Sequence, residues 1–122
     1  MIDHVSLKVK DFKKSLAFYA KALAPLGYKV LSEYEGGAGL GAGQSPDLWI
    51  GTGKPAGPGV HLAFVSPTRA AVDRFHAAAL AAGGRDNGTP GIRKDYHPHY
   101  YGAFAFDPDG NNIEAVCQDP KG

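Results

Sequence analysis

Three side chains of this sequence have the chemistry of an open metal centre. His4 and His61 each sit in a run of alternating residues, and Glu114 sits in a third such run. In a strand, successive side chains point to opposite faces. His4 then shares a face with Ser6, against Val5, Leu7 and Val9. His61 opposes Val60, Leu62 and Phe64, and Glu114 opposes Ile113, Ala115 and Cys117. Each apolar face must meet a helix, so both imidazoles and the carboxylate can point into one concavity. A carboxylate facing a closed concavity is costly unless paired or metal-bound. Two imidazoles and one carboxylate form a ligand set for a divalent ion that keeps positions open for water and substrate. Each residue alone reads more simply as a structural histidine or a solvated glutamate; the combination at related places favours the metal.

Other residues can shape such a site. The loop Asp95–Tyr101 holds His97 and His99, followed by Tyr100 and Tyr101. A glutamate spaced to complete a second metal site with that pair is missing, so the loop reads either as ordinary exposed surface or as a cover supplying polar and aromatic contacts to a ligand. Arg93 and Lys94 can meet an anionic group. Alternation across Tyr101–Phe106 turns Tyr101 toward the concavity, with Ala103 and Ala105 leaving room, and sends Phe104 and Phe106 to the helix side. Tyr101 and His97 are the candidates for moving protons. Trp49, between Leu48 and Ile50, reads either as an apolar wall of the concavity or as plain core. His76 reads as structural or exposed. Cys117 has no base on its own face and is no candidate nucleophile. The run Gly36–Gly43 lacks the lysine and helix of a phosphate loop.

The elements that must position these residues occur twice. Residues 1–9 read as a strand. Asp11 caps a helix carrying Leu16, Tyr19, Ala20 and Leu23, which Pro25 and Gly27 end. Three short strands follow, at Tyr28–Tyr34, Ala38–Ala42 and Leu48–Gly51. After a Gly- and Pro-rich linker the pattern restarts with a strand at Val60–Val65. A helix capped by Ser66-Pro67-Thr68 then carries Val72, Phe75, Ala79 and Ala82, and Gly83-Gly84 stops it. A turn-rich stretch leads to Gly102–Phe106 and Asn112–Cys117, a hairpin about Asp107-Pro108-Asp109-Gly110. His4 recurs as His61, and Leu16, Tyr19 and Gly27 recur as Val72, Phe75 and Gly83. The expected fold is α+β: one domain, residues 1–122, of paired βαβββ modules (1–52 and 59–118, linker 53–58) forming a cup-shaped mixed sheet with helices outside.

Composition bounds the function. In 122 residues, 43% are apolar and 20% charged, enough for a core without disulfides. A net charge of +1 leaves no footprint for nucleic acid or for an anionic membrane surface. No apolar run is long enough to span a bilayer. The single cysteine excludes an intrachain disulfide, and the strand-like start leaves no room for a secretory signal, so a reducing, cytoplasmic setting is expected.

With the repeat, Ile2-Asp3-His4-Val5-Ser6-Leu7, His61 and the run Asp107-Pro108-Asp109-Gly110-Asn111-Asn112-Ile113-Glu114 in view, the chain resembles the vicinal oxygen chelate superfamily. That group holds glyoxalases, fosfomycin- and bleomycin-resistance proteins and extradiol dioxygenases, and the resemblance covers essentially the whole chain. It implies His4, His61 and Glu114 as ligands of a divalent ion (Zn, Ni, Mn or Fe), a small-molecule substrate chelated through adjacent oxygens, and a homodimer. Trp49, Arg93, His97, Tyr100 and Tyr101 would contact the substrate. Some features of the family are missing. The place of glyoxalase I's second glutamate ligand falls at Trp49, with only Asp47 nearby. Fosfomycin-modifying relatives have a tyrosine where Phe104 stands and an arginine after the ligand glutamate. The reaction type stays open among lyase, isomerase and dioxygenase, as does whether the ligands come from one chain or two. A non-catalytic, metal-free binding protein of the bleomycin-resistance type is the alternative.

Overall fold

Alternation in the opening residues builds strand β1 (Val5–Val9), which buries Leu7 and Val9 and exposes Ser6 and Lys8. The structure is a computed structural model describing residues 1–122. Helix α1 (Phe12–Leu23) starts at Asp11, whose carboxylate accepts the Lys14 amide at 3.1 Å. It buries Phe18, Tyr19, Ala22 and Leu23, and a 3₁₀ turn (Ala24–Leu26) ends at Gly27, which takes the left-handed conformation that closes the helix. Strands β2 (Lys29–Tyr34), β3 (Gly37–Gly41) and β4 (Leu48–Thr52) complete the first module in the order β1-β4-β3-β2, with β1 and β4 parallel and the other pairs antiparallel.

The second module repeats the plan. Strand β5 (His61–Val65) leads to helix α2 (Arg69–Ala81), whose N-cap Thr68 accepts the Ala71 amide at 3.0 Å. Strands β6 (Arg85–Ile92), β7 (Tyr101–Phe106) and β8 (Asn112–Cys117) give the order β5-β8-β7-β6. The fold is therefore α+β with paired βαβββ modules, as the repeat predicts. Each module forms its own four-stranded mixed sheet, and no strand of one pairs with a strand of the other. β1 and β5 are consequently both edge strands. The helices cover one face of each sheet and pack against each other, so the 19 buried residues of the core come from both modules. Tyr19 on α1 reaches across to donate to Asp107 in the β7–β8 turn at 2.5 Å. No helix is long and apolar enough to cross a membrane.

Two expectations fail here. Residues 85–92 are strand β6, where Gly88, Pro90 and Gly91 read as turns. β6 lies at the sheet edge, where a proline's missing donor is tolerated, and its pairing with β7 slips at Gly88 and Gly91. The side-chain direction of β7 is also the reverse of the expected one. Helix α2 packs against β7 and only Ala103 and Ala105 fit beneath it, both fully buried. Phe104 and Phe106 therefore take the opposite face. His76, on α2, is buried and lies 2.8 Å from the Asp86 carboxylate, which also accepts the Gly88 amide at 2.9 Å.

Candidate functional site

The β7–β8 turn sets the geometry of the second module. Asp107 accepts from the Asp109 amide and from both the amide and side chain of Asn111. Asn111 in turn accepts the Val60 amide at 3.2 Å, and the Asn112 amide donates to Val60 at 2.9 Å. These bonds fix the parallel register of β5 and β8, with His61 opposite Asn112 and Ala63 opposite Glu114. His61, Phe104 and Glu114 thereby share the open face.

Glu114 is 1% exposed although it carries a carboxyl group. His61 Nε2 lies 2.8 Å from its Oε1, and the Tyr100 hydroxyl donates to its Oε2. Burial, and then the bond to Glu114, push the Tyr100 phenol above its ordinary pKa. The loop holds Tyr100 in place: its amide donates to His97, its carbonyl accepts the Arg93 amide, and its ring packs edge-on against Tyr96. Gly102 lies beneath; a Cβ there would come within 3.2 Å of the Tyr100 ring. Beside this cluster the Arg93 guanidinium stacks over Phe104 at 5.3 Å and donates to the Thr89 carbonyl at 2.6 Å. A hollow of about 280 Å³ opens there, lined by Asn87, Gly88, Arg93, Tyr96, Phe104 and Asn112.

The first module has its own hollow, about 460 Å³, on the open face of its sheet. His4, Ser6, Lys8, Tyr34, Trp49 and Gly51 line it. Trp49 pairs with Ser6 on β1 and with Gly39 on β3, while Leu48 and Ile50 are buried beside it in the core. Of the two sequence readings for Trp49, the structure adopts the wall of the concavity.

The predicted site residues are thus brought together only in part. His61, Glu114 and Tyr100 meet, and Arg93 lies on the same face. His4 lies in the hollow of the other module, its Nδ1 2.6 Å from the exposed Asp3 carboxylate. Within one chain no three His, Cys, Asp or Glu side chains gather as a metal site. His97 is exposed and stacks loosely on His99, with rings 5.7 Å apart. Tyr101 does not line the cup. It lies on the helix side, where its hydroxyl donates to Asp73 of α2 at 2.7 Å under the Arg69 guanidinium. That bond, and then burial, raise its phenol pKa. Lys8 and Tyr34 line the first hollow without having been singled out, and Phe104 lines the second although its bulk pointed to the helix side. The alternation that gave His4 and Ser6 one face also carries Lys8.

The donor chemistry fits a divalent ion as a half-site. His61 and Glu114 offer one nitrogen and one oxygen donor in direct contact, and the buried carboxylate needs the compensating charge or donors it finds there. His4, at the matching place in the first module, lies away from this pair, beside Asp3.

The family model described as Glyoxalase/Bleomycin resistance protein/Dioxygenase superfamily matches residues 1–115. Among solved structures, a glyoxalase/bleomycin resistance protein from Albidiferax ferrireducens T118 is 33% identical, with a TM-score of 0.81 over 94% of this chain and 97% of that one. A glyoxalase/bleomycin resistance protein/dioxygenase family enzyme from Burkholderia phytofirmans PsJN shares the fold at 20% identity, TM-score 0.73, over 95% of this chain and 97% of that one. A glyoxalase I variant from Zea mays does so at 22% identity and TM-score 0.66, over 94% of this chain but 44% of its own length. No curated protein sequence matches the chain.

Proposed function

Because the chain belongs to the glyoxalase/bleomycin resistance protein/dioxygenase superfamily, we propose that it is a divalent-metal-dependent enzyme acting on a small oxygenated metabolite, of lyase, isomerase or dioxygenase type. The observation that carries the reading is the buried Glu114 carboxylate at the floor of an open face, in contact with His61 and Tyr100. His61 and Glu114 would hold the ion (Zn, Ni, Mn or Fe) together with His4 of a second copy in a homodimer. In that arrangement the open face of one chain's first sheet meets the open face of the other chain's second sheet. When bound, the ion supplies Lewis-acid stabilisation of charge developing on substrate oxygen. Tyr100 orients the carboxylate through the hydrogen bond that its hydroxyl donates to Glu114 Oε2. Arg93 offers a bidentate donor to an anionic group of the substrate, with Trp49 closing the opposite wall. His97, on the exposed loop, is placed to cover the cup.

A second reading has its own observation. Both Glu114 oxygens already have partners within one chain, and the three ligands do not gather there. A metal-free binding protein of the bleomycin-resistance type fits that state. Elemental analysis of tag-free protein after reconstitution with each ion, beside Glu114→Ala, separates the two. Near-stoichiometric metal in the parent and its loss in the variant support the enzyme. No metal in either leaves the binding protein.

A further inference from the structure

The first module's hollow has an unusual floor. Across its sheet, Lys8 on β1 pairs with Gly51 on β4, Gly51 with Gly37 on β3, and Gly37 with Tyr34 on β2. One row on the open face therefore has a long side chain at each end and two glycines between them. Both long side chains fold inward. A Cβ at Gly37 would lie 2.3 Å from the Tyr34 ring, so the phenol end of the side chain lies over that glycine. A Cβ at Gly51 would lie 3.4 Å from Lys8 Nζ, so the ammonium is held above the second. In the neighbouring row Trp49 leans over Gly39, where a Cβ would meet its ring at 2.9 Å. The Tyr34 and Trp49 rings are 6.5 Å apart and tilted by 44°. No carboxylate pairs with Lys8, and Tyr34 is 61% exposed.

We propose that this cleft is a subsite for a planar aromatic ring bearing an anionic substituent, the ring lying against Tyr34 and Trp49 and the anion meeting Lys8. Flat aromatic faces attract a flat apolar ring through offset or edge contacts. A free ammonium at one end of the cleft selects for an anion there. Between the two ends the floor is glycine backbone onto which Tyr34 and Lys8 fold, so the ring would stack on the Tyr34 and Trp49 faces with Lys8 at its edge. The proposal deepens the functional reading by naming the class of substrate, and it rests on the first module's hollow being one wall of that cup.

Trp49 is the only tryptophan, so its indole N–H gives a single resonance that reports on the cleft. The test titrates 1-naphthoate into metal-stripped protein, with calorimetry and that resonance as readouts. Cyclohexanecarboxylate and 1-naphthalenemethanol serve as the non-aromatic and charge-free comparators. The expected result is a Kd of about 1 mM or tighter for naphthoate, a shift of the Trp49 signal, and weaker binding of both comparators. Lys8→Gln should weaken naphthoate by about fivefold. Gly51→Leu, at a position whose backbone suits any residue, should fill the cleft and weaken it by about tenfold or more while the circular dichroism spectrum and Tm stay native. Every arm uses metal-stripped protein, so a failure here is distinct from a failure of the metal site. An unmoved Trp49 signal, equal affinity for cyclohexanecarboxylate, or indifference to both cleft variants overturns the proposal, whether or not the protein binds metal.

Discussion

Tyr19→Phe tests how the first module holds the site of the second. The hydroxyl it removes is buried and donates to Asp107, the carboxylate that organises the turn ahead of Glu114. Three other donors to Asp107 remain, from Asp109 and Asn111, so the carboxylate keeps most of its partners. The loss is that of one hydrogen bond to a charged group, about 2 kcal/mol, which in a domain of this size lowers Tm by about 5–10 °C. The pH dependence gives the argument a second handle. Burial, and then the neighbouring Asp107 carboxylate, keep the Tyr19 phenol protonated well above its ordinary range. The unfolded chain loses that proton near pH 10 while the folded chain keeps it. The stability tied to this phenol is therefore fully present below about pH 10 and falls by about 1.4 kcal/mol per pH unit above it. Phenylalanine has no such proton. The gap between parent and variant should be about 2 kcal/mol at pH 8 and should close near pH 11.5. Urea denaturation at a series of pH values measures both. A gap under about 0.5 kcal/mol at pH 8, or one that does not narrow above pH 10, refutes the reasoning.

Three further outcomes are expected. Tyr101→Phe should change metal and ligand affinity by less than about twofold and cost no more than about 1 kcal/mol of stability, because its hydroxyl meets Asp73 on the helix side; a large loss of binding would return Tyr101 to the cup. The Gly88 amide, and then the His76 ring, hold the Asp86 carboxyl below its usual pKa. The stability this gives is present above about pH 4 and lost as pH falls through the lowered value, so Asp86→Asn should flatten the acid limb of stability between pH 6 and pH 2.5; parallel limbs would count against it. Phe75, fully buried on α2 within the shared core, should cost about 3–5 kcal/mol when changed to Ala, read from the urea midpoint.

What was legible in the sequence follows physical lines. The alternation of β8 is unambiguous, because Ile113, Ala115 and Cys117 are the apolar members and Glu114 the charged one, and the structure buries the first three in the core and turns Glu114 to the open face. β7 offered no such contrast. Bulk suggested that Phe104 and Phe106 were core and that alanines bordered a cavity, but a closely packed helix inverts that preference: small residues lie under α2, and the phenylalanines lie in reach of Arg93 and Arg85. β6 was hidden because its Gly and Pro residues are acceptable only at an edge, and edge position is a property of topology rather than of local pattern. The contact of Tyr100 with Glu114 depends on how the loop 93–100 folds back through its own backbone bonds, which spacing does not encode. The inward fold of Lys8 and Tyr34 over two glycines becomes visible only when the register of four strands is known.

The central claim is a metal centre made from His61 and Glu114 of one chain and His4 of another. Its most direct test pairs His4→Ala and Glu114→Ala chains in a heterodimer isolated through two different tags. Metal content is then measured by elemental analysis after reconstitution. A site shared between chains predicts no metal in either variant alone and one ion per heterodimer, because one of its two cups receives an intact His4 and an intact Glu114. A heterodimer as empty as its parents, or single variants that bind as the unmodified protein does, would contradict it.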